Sequence, residues 1–143
     1  MATLFHVSIL TADQRIFEGE ATSLVARGRD GYFGILAHHA PLIASLIPGK
    51  LTLKDERGRQ QCFCMSSGLL DVADNQVTIL VRSAELPEDI DYARACRAED
   101  RAQKQLNTLR SEGIDLDRFL RALLRAVNRK KIAEEFGHGK PQS

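Results

Sequence analysis

The chain has 143 residues, 43% of them hydrophobic, and 20 Lys and Arg against 19 Asp and Glu give a formal net charge of +1. That length holds one ordinary domain or a small domain with an appendage, and the near-neutral balance argues against a general nucleic-acid binder. No run approaches the roughly 20 apolar residues that span a bilayer. The start, Met1 to His6, has neither a charged leader nor an apolar signal core, so a soluble protein that stays where it is made is expected.

Through about Leu86 the signal is short β-branched runs broken by turn residues. Phe5, Val7 and Ile9 alternate with His6 and Ser8, as in a half-buried strand. Residues 20–26, 32–35 and 42–47 give further runs. Residues 50–54 and 61–65 flank a Glu56-Arg57-Gly58 turn, and residues 69–73 and 77–81 flank Asp74-Asn75, so two hairpins are expected. The glycines at 19, 28, 31, 34, 49, 58 and 68 are expected at bends. Many short strands at this spacing point to a β-sandwich or a barrel. Cys62 and Cys64 fall two apart on one strand, where they cannot readily bond each other, and with Cys96 they fit a reducing interior.

From Pro87 the period changes to 3.6. Glu88 and Asp89 are expected to cap the first helix. Ala95, Ala98, Ala102, Leu106 and Leu109 form one apolar seam, and Leu116, Leu120, Leu123 and Val127 form a bulkier one on a second helix. Between them Gly113 reads as a helix end and Asp115 as a helix start. After Phe136 a disordered tail, residues 137–143, is expected.

The helices carry the distinctive chemistry. Arg94, Arg97, Arg101 and Lys104 recur along one side of the first, and Arg118, Arg121, Arg125 and Arg129 along the second. Up to Leu86 there are 8 basic and 9 acidic residues, and from Pro87 onward 12 and 10, so the positive excess lies on the helices. Two such stripes repel if folded side by side, and a multivalent anion between them reverses that sign. Arginine forks suit phosphate oxygens, so a nucleotide triphosphate is the expected ligand. Asp91 and Glu85 remain to orient a base or ribose, or to cap the helix. Elsewhere, Gly28-Arg29-Asp30-Gly31-Tyr32-Phe33-Gly34 lacks the Gly-Lys-Ser/Thr of a phosphate loop, and His38 and His39 have no metal or nucleophile partner at useful spacing. No catalytic residue and no metal site are expected.

Two motif sets carry a resemblance. The first is Gly31-Tyr32-Phe33-Gly34-Ile35-Leu36-Ala37-His38-His39-Ala40-Pro41-Leu42, followed by Pro48-Gly49 and Ser67-Gly68-Leu69-Leu70. The second is Ile90-Asp91-Tyr92-Ala93-Arg94-Ala95 with Arg125-Ala126-Val127-Asn128-Arg129. In order, with a β-to-α switch between them, they resemble the epsilon subunit of the F-type ATP synthase from Leu4 to about Glu135.

The resemblance implies an α+β chain, β then α. An antiparallel β-sandwich of about ten short strands (residues 1–86) precedes an antiparallel two-helix hairpin (residues 87–136). It implies a non-catalytic rotor subunit of the central stalk, docked on the gamma subunit and on the c-ring. It also implies inhibition of ATP hydrolysis when the helices extend toward the alpha/beta catalytic head. The contact loop comprises Gly34, Ile35, Leu36, His38, His39, Pro41 and Leu42. ATP is implied as a regulatory ligand, with magnesium optional and no metal or prosthetic group, held by Glu85, Ile90, Asp91, Arg94, Ala95, Arg101, Arg125 and Arg129. The implied place is the cytoplasmic face of a bacterial plasma membrane, reached only through the complex and without nucleic acid. A free-standing β-barrel that binds nucleic acid through its arginine-rich tail is the competing expectation.

Overall fold

A computed structural model describes residues 3–112 and 117–136, with side chains up to residue 108 and from residue 120. The chain falls into two compact units, Met1–Leu86 and Pro87–Ser143. The first holds ten strands: β1 Phe5–Leu10, β2 Arg15–Ala21, β3 Ser23–Gly28, β4 Gly31–Leu36, β5 Leu42–Leu46, β6 Gly49–Lys54, β7 Gln60–Met65, β8 Gly68–Ala73, β9 Gln76–Val81 and β10 Ala84–Glu85. They form two five-stranded layers, β2-β1-β9-β8-β5 and β10-β7-β6-β3-β4. A single pair, Gly28 with Leu46, joins the layers at one corner. Phe17 of β2 and Phe63 of β7 meet edge to face at 5.8 Å.

Alternation builds the core. Val7, Ile9, Leu24, Ile35, Leu70 and Ile79 are fully buried, each contributing about 2 kcal/mol by leaving water. Two details differ from the sequence expectation. The run at residues 20–26 is two strands, because the Thr22 amide donates to the Lys54 carbonyl at 2.8 Å and turns the chain from one layer to the other. The sandwich is not wholly antiparallel either, since β1 runs parallel to β9, His6 opposite Gln76 through Leu10 opposite Leu80.

The two expected hairpin turns form. Asp55 Oδ1 accepts the amides of Arg57 and Arg59, and Asp74 and Asn75 take left-handed φ of 51° and 60°. Several of the glycines expected at bends serve another purpose. Gly19 and Gly34 lie inside strands, and Gly68 allows a close approach: a Cβ there would stand 2.2 Å from the Leu80 carbonyl oxygen.

The second unit opens with a 3-10 turn, Pro87–Asp89, closed by the Ile90 amide on the Pro87 carbonyl. It continues as α1 Tyr92–Glu112 and α2 Asp117–Glu135. The cap of α1 is Asp91, not Glu88 or Asp89. Asp91 Oδ1 accepts the Arg94 amide at 3.0 Å while its carbonyl accepts the Ala95 amide. The α1 seam holds at Ala95, Ala102 and Leu106, all buried. On α2 the buried residues are Ala126, Asn128, Ile132 and Ala133, whereas Leu120, Leu124 and Val127 are exposed. Leu120 and Val127 of the expected seam therefore face outward, Leu123 is half-buried, and α2 buries Ala126, Ile132 and Ala133 instead. The turn at Gly113 and Asp115, the side chains of Leu109, Leu116 and Arg118, and the tail 137–143 lie outside the described residues.

Gly68→Ala is expected to destabilise the β unit by about 2 kcal/mol or more, because the obstructing atom is backbone. Urea unfolding followed by the β signal checks this.

Candidate functional site

Two polar pairs bind the helices to each other. The Tyr92 hydroxyl donates to Glu134 Oε1 at 2.8 Å, and Lys130 Nζ lies 3.3 Å from Glu99 Oε2. Both run from α1 to α2, and together they fix an antiparallel register. Glu99 and Glu134 thus put carboxylates where the sequence places only like charges. The hairpin carries counter-ions of its own, so a bound anion would be one source of negative charge among several. The Glu99 carboxylate lifts the Lys130 ammonium above its ordinary value, and the bond to Glu134, then the Cys96 thiol, lift the Tyr92 phenol.

The arginines are ordered by the same register. The turn of α1 that carries Arg101 lies level with the turn of α2 that carries Arg125 and Arg129, and Arg94 lies nearer the Glu134 end. Arg94 and Arg101 are exposed, while Arg125 and Arg129 are half-buried. Ile90 and Ala95 are fully buried, so neither side chain is open to a ligand. The Asp91 carboxylate is engaged in the cap. Glu85 belongs to the β unit, in β10 opposite Cys64. The register thus brings the turn of Arg101 level with that of Arg125 and Arg129, from separated parts of the sequence, and phosphate oxygens are the ligands that arginine forks suit.

The second candidate is the loop between β4 and β5. His38 takes a left-handed φ of 61°, its amide donating 2.8 Å to Asn75 Oδ1. His39 is oriented by a 2.7 Å contact between Nδ1 and the Ala40 carbonyl. Leu36 is 65% exposed and Ile43 75%, the largest values among the exposed bulky apolar side chains. Gly34, His38 and Pro41 are exposed as well. Ile35 corrects the expectation, because it faces the core at 1% exposure, and Leu42 packs partly against that core. The strand alternation explains both: Leu36 and Ile43 point out because their neighbours point in. Ile43 is the exposed apolar residue beside this loop that the motif-based reading left out, and counting in twos from buried Leu46 would have found only its parity.

Tyr92, Glu99, Lys130 and Glu134 were also not singled out from the sequence. Nothing local marks them, since pairings across 31 and 42 residues exist only once the helices are in register. Among the described residues no group of His, Cys, Asp or Glu could hold a metal, the three cysteines are free, and no helix is long and apolar enough to cross a membrane.

A family model described as ATP synthase, Delta/Epsilon chain, beta-sandwich domain matches residues 4–87, and one for the long alpha-helix domain of the same chain matches residues 88–134. The ATP synthase epsilon chain of Halalkalibacterium halodurans is 40% identical over 93% of this chain and 98% of its own length. That of Clostridium novyi is 39% identical over 90% and 97%. A chain in the Euglena gracilis mitochondrial ATP synthase superimposes with a TM-score of 0.72 at 22% identity, covering 92% of this chain and 80% of that one, which shows a shared fold.

A pH dependence follows from the helix pairs. Tyr92 and Lys130 have ordinary values of 10.0 and 10.5, and both are raised in the folded chain. A raised folded value means the protonated group stabilises the closed hairpin fully below its ordinary value and ceases to as pH climbs through the folded one. Thermal melting of the helical signal should therefore be level from about pH 8 to about pH 10 and fall above that. Lys130→Met should lower the plateau and flatten the alkaline decline.

Proposed function

The chain belongs to the ATP synthase epsilon chain family, whose members are non-catalytic subunits of the F-type enzyme. From that premise we propose that it is a bacterial central-stalk subunit that couples ion-driven c-ring rotation to ATP synthesis and restrains ATP hydrolysis through nucleotide-sensitive helices. The observation that carries the regulatory half is the level placement of Arg101 with Arg125 and Arg129, beside the cross-helix pairs that hold the hairpin shut. ATP, with or without magnesium, adds its phosphates to the negative charge already supplied by Glu99 and Glu134, and so favours the closed form. Arg94 joins the phosphate set. Asp91 and the backbone at Ile90 and Ala95 shape the start of α1, and Glu85 completes the set that the resemblance implies.

Opened helices would instead offer their arginines to acidic surface along gamma and in the alpha/beta head. The nucleotide and that surface compete for the same cations, so each weakens the other by linkage. The β4–β5 loop, with Leu36, His38, His39, Pro41 and Ile43, supports docking on the gamma subunit and c-ring. The subunit works at the cytoplasmic face of the plasma membrane, held there by the complex alone. The nucleic-acid reading is not favoured: only 6% of residues are aromatic, and Tyr92, beside the first arginine stripe, is engaged by Glu134.

Two outcomes are expected. In isothermal titration of the full chain with ATP, Arg94→Ala and Arg125→Ala should each weaken binding about ten-fold, the scale of one lost charged hydrogen bond, without moving the unfolding of the β unit. No heat from the unmodified chain at millimolar nucleotide would remove the sensor. Ile43→Glu should abolish co-purification with a gamma–c-ring subcomplex and leave ATP binding intact, because its side chain supports nothing internal.

A further inference from the structure

The second residue of the β8–β9 turn has a feature the turn itself does not need. Asp74 and Asn75 both take left-handed backbone, the two-residue hairpin geometry in which glycine is the least costly second residue. Asparagine stands there instead, and its side chain reaches out of the turn in two directions. Oδ1 accepts the His38 amide at 2.8 Å, and Nδ2 donates to the Leu4 carbonyl at 2.9 Å. Its own carbonyl accepts the His6 amide at 3.2 Å. These partners fix which end of the amide is which, since His38 offers only a donor and Leu4 only an acceptor. One residue thus ties together the tip of the β4–β5 loop, the lead-in to β1 and the β8–β9 turn.

The loop tip requires such a tie. His38 holds a left-handed conformation that an L-residue adopts only when its surroundings impose it. His39 and Pro41 follow within three residues, and the exposed Leu36 and Ile43 stand at either side. We propose that Asn75 is a positioning residue for subunit docking: it presets the backbone at His38, so that Leu36, His38, Pro41 and Ile43 meet the c-ring already in their bound arrangement. This rests on the docking reading given above. A loop released from Asn75 would populate that arrangement only part of the time, and affinity falls by that fraction.

Three full-length chains separate the possibilities. Asn75→Gly keeps the left-handed backbone and removes both side-chain bonds, while Asn75→Asp keeps an acceptor for His38 and loses the donor to Leu4. Each is titrated onto a gamma–c-ring subcomplex, and His38 amide exchange is measured in the free chain. Asn75→Gly should speed exchange at His38 and weaken docking by about five-fold or more, and Asn75→Asp should recover most of both. If Asn75→Gly exchanges faster at His38 yet docks like the unmodified chain, the positioning role is overturned while docking stands. If the unmodified chain does not bind the subcomplex, the docking reading falls and takes this role with it. Should Asn75→Gly not fold, Asn75→Asp decides: a protected His38 amide with docking retained supports the role, and a protected amide with docking lost overturns it.

Discussion

Charge compensation inside the helical hairpin is the constraint on which the second unit depends. Two unit charges about 8 Å apart in water repel by roughly half a kcal/mol, and each stripe brings several cations against the other. Glu99 beside Lys130 and Glu134 beside Tyr92 reverse the local sign at two levels of the hairpin. Arg94, Arg101, Arg125 and Arg129 lie outside these two pairs. Of these, Arg94 and Arg101 stand exposed, where an external anion can reach them.

The β unit is organised on a different principle. Its interior is aliphatic and almost without polar content, with Ser66 the one polar residue among those buried in this unit. The β4–β5 loop and the β8–β9 turn are joined through Asn75, and a second set of bonds secures the far side of the β3–β4 hairpin. There Arg27 donates to the Pro48 carbonyl at 3.2 Å, and Tyr32 accepts the Lys50 amide. Gly49 lies directly against the Arg27 side chain, which accounts for the Pro48-Gly49 pair in the sequence. A stiff frame with two fastened ends suits a part that transmits force rather than reacts.

Much of this was legible in the residues, and the limits have physical reasons. Period-two alternation located the strands because each has one buried face, and the same rule, applied with care, would have put Ile35 inside and Leu36 outside. The corner at Thr22 and the parallel pairing of β1 with β9 were not legible, since both depend on which strands become neighbours. On α1 small residues marked the seam correctly. On α2 bulk misled: Leu120 and Val127 look like core by hydrophobicity, but the buried apolar residues are Ala126, Ile132 and Ala133, to whose face they do not belong. The arginine stripes were plain from spacing. Their counter-charges were not, because Glu99 and Lys130 become neighbours only in the folded register.

That alanine seam bears on how finely the two helices are balanced. An alanine methyl returns about 1 kcal/mol on leaving water, against two or three for leucine, and among the described residues of the two helices only Leu106 and Ile132 are bulky apolar side chains that are fully buried. The seam therefore contributes less to shutting the hairpin than a leucine seam of the same length would. On the sensor reading proposed above, a balance of that kind can be tipped by a small dissolved metabolite at ordinary cellular abundance. A leucine zipper in the same place would be a latch that no such ligand could turn.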